Sequence, residues 1–207
     1  MVGGTFVARP ARAAVSGLSN CCGSDYATCM TSNHARFLAL LTAIAAAAAL
    51  RLVPHPPNFT PIGAMALFSG AYFGRRALAF AAPLGAMLVS DALIGFHSGM
   101  PFVYASVAVI ALLGWLALSR VTVLRLAGAA IASSILFFVV TNFGTWLLSG
   151  MYPLNGAGLA ACYVAAIPFF QNTVAGDLFY TGVLFGGFAL LERAVPMLRA
   201  GGVPRPA

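Results

Sequence analysis

The chain has 207 residues, of which 61% are hydrophobic and 7% are charged, and it carries a formal net charge of +7. Soluble domains usually contain about 25% charged residues, so this composition excludes an ordinary soluble protein and favours an integral membrane domain. The positive charge comes from arginines scattered at the ends of apolar segments. That distribution is typical of membrane topology, and it argues against nucleic acid as a partner.

The N-terminal segment differs in composition from the rest of the chain. It is rich in Ala, Ser and Gly, contains arginines and has a single acid. Such a composition resembles an organelle-targeting segment. We favour the alternative that the protein begins at Met30, directly before the first hydrophobic run. We therefore predict a disordered or non-native extension over residues 1–33, a transmembrane helical domain over 34–193 and a flexible C-terminal tail over 194–207.

Runs of apolar residues predict about six transmembrane helices, and therefore an all-α, polytopic membrane protein. The predicted spans are 37–53, 61–74, 77–96, a fourth span ending at 119, 126–148 and about 172–191. The prolines of the loop 54–60 cannot continue a helix, whereas Pro61 suits a first helical position. The segment 157–170 is short and ends near Pro168, so we predict an interfacial or re-entrant helix there, with a seventh crossing as the alternative.

The arginines predict the orientation. With the N-terminus in the cytoplasm and six crossings, eight arginines that flank the spans fall inside and only Arg51 falls outside. This bias follows the positive-inside rule. It predicts a multi-pass protein of the inner (plasma) membrane with both termini in the cytoplasm.

Two of the four acids lie within predicted spans, Asp91 in the third and Asp177 in the sixth. A carboxylate in hydrocarbon costs a few kcal/mol, so such residues either face a functional cavity or bond to a neighbouring helix. Apolar walls with a few polar groups are typical of small-molecule pockets. In the predicted topology the two aspartates share the outer side with seven further candidate ligand-binding residues: Asn142, Trp146, Asn172, Tyr180 and, in the outer loop, His55, Asn58 and Phe59.

Metal and cofactor chemistry has little support in the sequence. The four cysteines form no CxxC pair, so a structural metal site is not expected. His55 and His97 have the chemistry to join the aspartates as metal ligands. A histidine in a proline-rich loop is more often a hydrogen-bonding surface residue, and we predict neither a metal site nor a cofactor.

Ala39, Ala43 and Ala47 recur at four-residue spacing in the first span. Small residues in this pattern let helix backbones approach closely. The pattern predicts a helix–helix contact, either within the monomer or with a partner.

Four stretches carry a resemblance to a bacterial membrane family of uncharacterised function: residues 55–68, 83–91, 141–143 and 168–178. The resemblance covers about residues 36–193. That family is similar in size and layout to the substrate-binding (S) components of energy-coupling-factor vitamin transporters. This second resemblance implies a six-helix bundle that binds a vitamin or metal ion near its outer face. It also implies that Ala39, Ala43 and Ala47 dock on a transmembrane coupling subunit driven by ATPases.

Three functions are therefore considered. The first is a small-molecule-binding subunit of a transporter, whose partners are membrane lipid, its ligand and the coupling subunit. The second is a structural or assembly protein that packs through small-residue helix faces. The third is an intramembrane aspartyl enzyme with Asp91 and Asp177 as a dyad. Because residues 174–177 lack the first glycine of the GxGD pattern, we predict that the protein is not an enzyme.

Overall fold

The computed structural model describes residues 26–73 and 76–199, and over these residues it is all-helical. The helices are α1 (Tyr26–Leu50), α2 (Ile62–Tyr72), α3 (Arg76–Ile94), α4 (Met100–Ala117), α5 (Val123–Leu148) and α6 (Gly156–Ala194), followed by a short 3-10 helix (Pro196–Leu198). Within the described residues, every α-helix except α2 is long and apolar enough to cross a membrane. The predicted all-α, membrane-type architecture is confirmed.

Local sequence signals set several helix ends. Asn155 precedes α6, and its side chain accepts a hydrogen bond from the Gly158 N–H at 2.8 Å. Thr122 caps α5 in the same way, and Pro101 occupies the first turn of α4. The first N–H groups of a helix have no intrahelical partner. Asn155 and Thr122 accept hydrogen bonds from such groups, and Pro101 has no N–H to satisfy. The α1 helix begins at Tyr26, within the segment predicted to be an extension, whereas residues 1–25 and 200–207 lie outside the described residues.

The short α2 helix is buried along its whole length, from Ile62 to Tyr72. Its 11 residues extend only about 17 Å, which is less than the roughly 30 Å of a hydrocarbon core. A Cβ on Gly70 would lie 2.0 Å from the Ala111 carbonyl oxygen, and one on Gly114 would lie 2.4 Å from that of Leu67. The two glycines therefore let α2 and α4 approach backbone to backbone at the centre of the bundle.

Two partly buried ion pairs lie toward opposite ends of the bundle. At the first end, Arg36 of α1 pairs with Glu192 of α6 and also donates to the Leu198 carbonyl oxygen. At the second end, Arg51 after α1 pairs with Asp91 of α3. We call these the Arg36 end and the Arg51 end. The start of α1 and the end of α6 thus share one end of the bundle; which end faces the cytoplasm stays a prediction.

The break predicted near Pro168 is wrong, because α6 is one helix of 39 residues with Pro168 inside it. The predicted interfacial segment and the predicted last span are two parts of this helix. Packing against α5 supports the first part: the Tyr163 hydroxyl donates to the Val139 carbonyl oxygen at 2.6 Å, and the Phe138 and Phe170 rings lie 4.8 Å apart. Neighbouring helices of this kind allow proline inside a membrane helix.

Candidate functional site

Asp177 lies near the middle of α6, where α2, α5 and α6 converge. Its carboxylate is almost fully buried, with 3% of the residue exposed. The Ser134 hydroxyl of α5 donates to Asp177 Oδ2 at 2.7 Å. The neighbouring Ser133 is fully buried, and its hydroxyl faces the same carboxylate without reaching standard hydrogen-bond geometry. The sequence predicts that the last span starts at about residue 172, whereas α6 begins at Gly156, 21 residues before Asp177.

Gly63, in the first turn of α2, makes this convergence possible. A Cβ at Gly63 would lie 2.4 Å from Asp177 Oδ1 and 2.5 Å from Ser133 Oγ. Both oxygen atoms therefore point at the same spot on the α2 backbone. Only glycine leaves that spot free without displacing one of the two side chains.

The start of α2 also contributes donors to the carboxylate. Pro61, which precedes α2, makes no side-chain capping bond. The Ala64 backbone N–H faces Asp177, so a carboxylate from α6 takes the place of a local cap. A negative charge is stabilised at a helix N-terminus. The groups around Asp177 are therefore hydroxyl and amide donors, and Arg36 and Arg51 are paired with other acids.

A small cleft opens beside the carboxylate. The cleft spans about 190 Å³, a volume that includes space open to the outside, so its enclosed part is smaller. Its walls combine Asp177 with two hydroxyl-bearing and three apolar residues: Thr60, Thr173, Ile62, Gly63 and Phe137. A carboxylate, two threonines and an aromatic wall can orient a polar group of a few atoms.

The segment 51–61 covers this part of α6. The Asn172 side chain donates to the Pro57 carbonyl oxygen at 2.9 Å. The Phe59 ring lies 5.8 Å from that of Phe179 and 5.5 Å from that of Tyr180. A Cβ at Gly176 would lie 3.2 Å from the Phe59 Cα, so the covering segment sits directly on the α6 backbone. Asn58 has a φ of 63°, in the left-handed region that asparagine tolerates better than most residues.

Asp91 belongs to a different cluster at the Arg51 end. Its Oδ1 accepts from Arg51 Nη2 at 2.7 Å, and its Oδ2 accepts from the Tyr104 hydroxyl at 2.9 Å. Arg51 also donates to the Ser90 hydroxyl. Each carboxylate oxygen of Asp91, on α3, thus has a partner within the protein: Tyr104 lies on α4, and Arg51 directly follows α1.

The remaining predicted site residues fall into two groups. In the first group, α6 contacts the covering segment beside Asp177: Asn172 bonds the Pro57 carbonyl oxygen and Tyr180 packs on Phe59. The covering segment also contains Asn58 and His55, and the His55 ring contacts the Val53 carbonyl oxygen at 2.6 Å. Asn142 and Trp146 lie farther along α5. The Asn142 amide donates to the Phe138 carbonyl oxygen at 2.8 Å, and the Trp146 indole donates to that of Pro153 at 3.0 Å. Asn142 and Trp146 therefore have structural partners of their own.

Three residues that sequence reasoning missed are Ser133, Ser134 and Gly63. Serines in an apolar helix are common, and their hydroxyls usually bond within the helix. Ser134 does so as well, because its hydroxyl lies 3.0 Å from the Ala130 carbonyl oxygen. The only available signal was an adjacent serine pair within the apolar run of α5.

The alanines of α1 face into the protein. Ala47 is buried, and Ala39 and Ala43 are partly buried against the hydrophobic core. Packing within the monomer accounts for their spacing. Docking of a partner on this face stays a prediction, and it would have to compete with those intramolecular contacts.

Comparison with known proteins places the chain in a family. The model of DUF6580, a family of unknown function, matches residues 31–198. The chain therefore belongs to this family, whose match runs from α1 through the final 3-10 helix. No curated protein and no solved structure matches the chain.

Proposed function

We propose that this membrane protein is the small-molecule-binding subunit of a transporter, with its ligand site in the cleft between α2, α5, α6 and the covering segment 51–61. The observation that carries the proposal is the environment of Asp177. The carboxylate is buried at the cleft wall, and Arg36 and Arg51 are paired with other acids. A buried charge without a counter-charge is costly, so a ligand that supplies one gains affinity there.

The cleft favours a ligand with an N–H donor or a positive charge attached to a vitamin-sized apolar body. Asp177 accepts the donor, and Ile62 and Phe137 provide apolar contacts. The body of such a ligand exceeds the present cleft, so binding requires the covering segment to move away from α6. The hydrogen bond from Asn172 and the ring contacts of Phe59 are the interactions that this movement breaks.

A transport subunit of this kind needs an external energy source, because the sequence has no ATP-binding loop. The proposed partner is a transmembrane coupling subunit with its ATPases. In the predicted orientation the Arg51 end faces outward. Ligand would then enter from the non-cytoplasmic side, beneath the covering segment.

One observation favours a structural or assembly protein as the second candidate. Asp91 shows that this fold uses a buried aspartate purely to join helices, and Asp177 caps α2 in a comparable way. Nothing in the contacts favours the aspartyl enzyme. Both oxygens of Asp91 are engaged by Arg51 and Tyr104, which leaves Asp91 no proton to share with Asp177.

Native mass spectrometry of the purified full chain tests the proposal. We expect the unaltered protein to retain a vitamin-sized molecule and Asp177→Asn to lose it, since the amide keeps the shape of the side chain but removes its charge. Thr141→Val is the matched control, because the Thr141 hydroxyl only bonds the Phe137 carbonyl oxygen of its own helix. If lipid alone travels with the unaltered protein, the structural candidate replaces transport.

A further inference from the structure

We propose that the α4–α5 turn (residues 118–125) is an anchor for anionic phospholipid, in which Arg120 and Arg125 bind the lipid phosphate and Val123 and Leu124 contact the acyl chains. This inference goes beyond ligand transport, since it concerns another part of the bundle and a partner that belongs to the membrane itself. It stands on the place of the turn, its unbalanced charge and its exposed aliphatic side chains.

The packing of α4 places this turn at the Arg36 end. Tyr104, near the start of α4, donates to the aspartate of the Arg51 end. Gly114, near the end of α4, packs against the α2 backbone, and α2 ends at Tyr72, whose ring centre lies 5.8 Å from the Arg36 guanidinium carbon. The α4 helix therefore ends, and α5 begins, at the Arg36 end, where the bundle meets one surface of the membrane.

Arg120 and Arg125 carry the charge of the turn. Both side chains are exposed, and neither is in an ion pair within the described residues. The whole chain has only four acids, and the one in the described part of the Arg36 end, Glu192, is paired with Arg36. The two arginines therefore have no neutralising carboxylate in the described chain, and a negatively charged surface is their complement.

Val123 and Leu124 lie between the two arginines. At 75% and 84% they are the most exposed large hydrophobic side chains of the described residues. The turn is nevertheless fixed on the bundle, because its residues Leu118 and Val121 are buried in the hydrophobic core. Apolar side chains held outward beside cationic ones suit the boundary between lipid headgroups and acyl chains.

An anionic phospholipid supplies both complements at once. Its phosphate oxygens accept hydrogen bonds from the planar guanidinium fork, often in pairs, and its acyl chains cover the aliphatic side chains. A zwitterionic lipid has the same phosphate but no net charge, so it should bind more weakly. In the predicted orientation the Arg36 end faces the cytoplasm, where the leaflet surface is negatively charged.

Thermal unfolding of the full chain in a non-ionic detergent tests this inference, with phosphatidylglycerol compared with phosphatidylcholine of the same acyl chains. We expect phosphatidylglycerol to raise the unfolding midpoint more, because a lipid that binds only the folded state stabilises it. Arg120→Gln combined with Arg125→Gln should raise the phosphatidylglycerol concentration needed for half the shift about 30-fold, since each basic residue near an anionic surface contributes about fivefold. Without lipid this variant should unfold like the unaltered protein.

Two matched variants separate charge from apolar contact. Arg120→Lys combined with Arg125→Lys keeps both charges, so it should retain most of the preference for phosphatidylglycerol. Val123→Ser combined with Leu124→Ser should weaken the response to both lipids alike, because acyl contacts do not depend on the headgroup. Sodium phosphate at equal ionic strength should leave the midpoint of the unaltered protein unchanged.

Three results would overturn the inference. The first is an unaltered protein that responds equally to the two lipids. The second is a double glutamine variant that keeps the full response to phosphatidylglycerol, since the lipid would then bind elsewhere. The third is a shift by sodium phosphate as large as that by phosphatidylglycerol, since the turn would then bind an anion without a lipid. None of these results bears on retention of a small molecule at Asp177.

Discussion

The two buried aspartates have different kinds of partner for their carboxylates. Asp91 and Asp177 are each 3% exposed. Asp91 is neutralised by Arg51 and receives a second hydrogen bond from Tyr104. Asp177 is met by the Ser134 hydroxyl and by donors at the start of α2. Burial is therefore equal, and the kind of partner distinguishes the two.

The difference separates a structural cluster from a candidate binding site. The Asp91 cluster joins α3 to α4 and to the end of α1, and each of its carboxylate oxygens is used. The Asp177 cluster keeps a hydroxyl without standard hydrogen-bond geometry at Ser133 and an open cleft at its side. Both carboxylates are functional candidates because charged groups are rare in membrane helices. The contacts of the two residues leave Asp177 as the candidate for ligand binding.

The largest expected effect comes from breaking the Asp91 cluster. Arg51→Met removes the positive partner and leaves Asp91 buried with a single hydroxyl donor. Removing one member of a buried pair costs about 3–5 kcal/mol. We expect a loss of that order in the free energy of unfolding, measured by equilibrium titration with a denaturing detergent.

Two further variants make that test specific. Arg51→Met combined with Asp91→Leu should recover most of the lost stability, because no uncompensated charge remains. Arg125→Met changes an exposed arginine and should have little effect. If Arg51→Met alone unfolds like the unaltered protein, the ion pair does not hold these helices together.

The sequence was sufficient for the features that depend on local composition. Apolar runs and scarce charge predicted an all-helical membrane domain, and the same scarcity made Asp91 and Asp177 conspicuous. The partnership of Arg51 with Asp91 was not predictable, since it spans 40 residues of chain. The continuity of α6 through Pro168 was not predictable either, because it depends on packing against α5.

The candidate site was only partly visible in the sequence. Asp177, Asn172 and Phe59 were named because carboxylate, amide and aromatic groups are unusual in or beside apolar segments. Ser133 and Gly63 were missed because small residues are ordinary in membrane helices. Their importance comes from their meeting with Asp177 in three dimensions, and no periodicity within one helix encodes that meeting.

A smaller effect is expected from filling the space beside Asp177. Gly63→Ala places a methyl group 2.4 Å from Asp177 Oδ1 and 2.5 Å from Ser133 Oγ. Overpacking of this kind costs about 1–3 kcal/mol. We expect that loss in equilibrium unfolding, together with loss of the co-purifying small molecule. Gly182→Ala is the control, because a Cβ there meets nothing within 4 Å; equal behaviour of the two variants would contradict the tight convergence.

The smallest effect is expected at the covering segment, where Asn172→Ala removes the hydrogen bond to the Pro57 carbonyl oxygen. One such bond contributes about 0.5–1.5 kcal/mol, and its loss should free the segment locally without unfolding the bundle. Hydrogen exchange measured by mass spectrometry should accelerate at residues 55, 58, 59 and 60 and remain unchanged in α3 and α4.

Asn142→Ala, which loses only a bond within its own helix, should leave exchange in the segment unchanged. Unaltered exchange in Asn172→Ala would show that the Phe59 ring contacts alone hold the segment on α6. Faster exchange with weaker small-molecule retention would assign residues 55–60 of the segment to the Asp177 site, because the Asp91 cluster contacts the segment through Arg51 and not through Asn172.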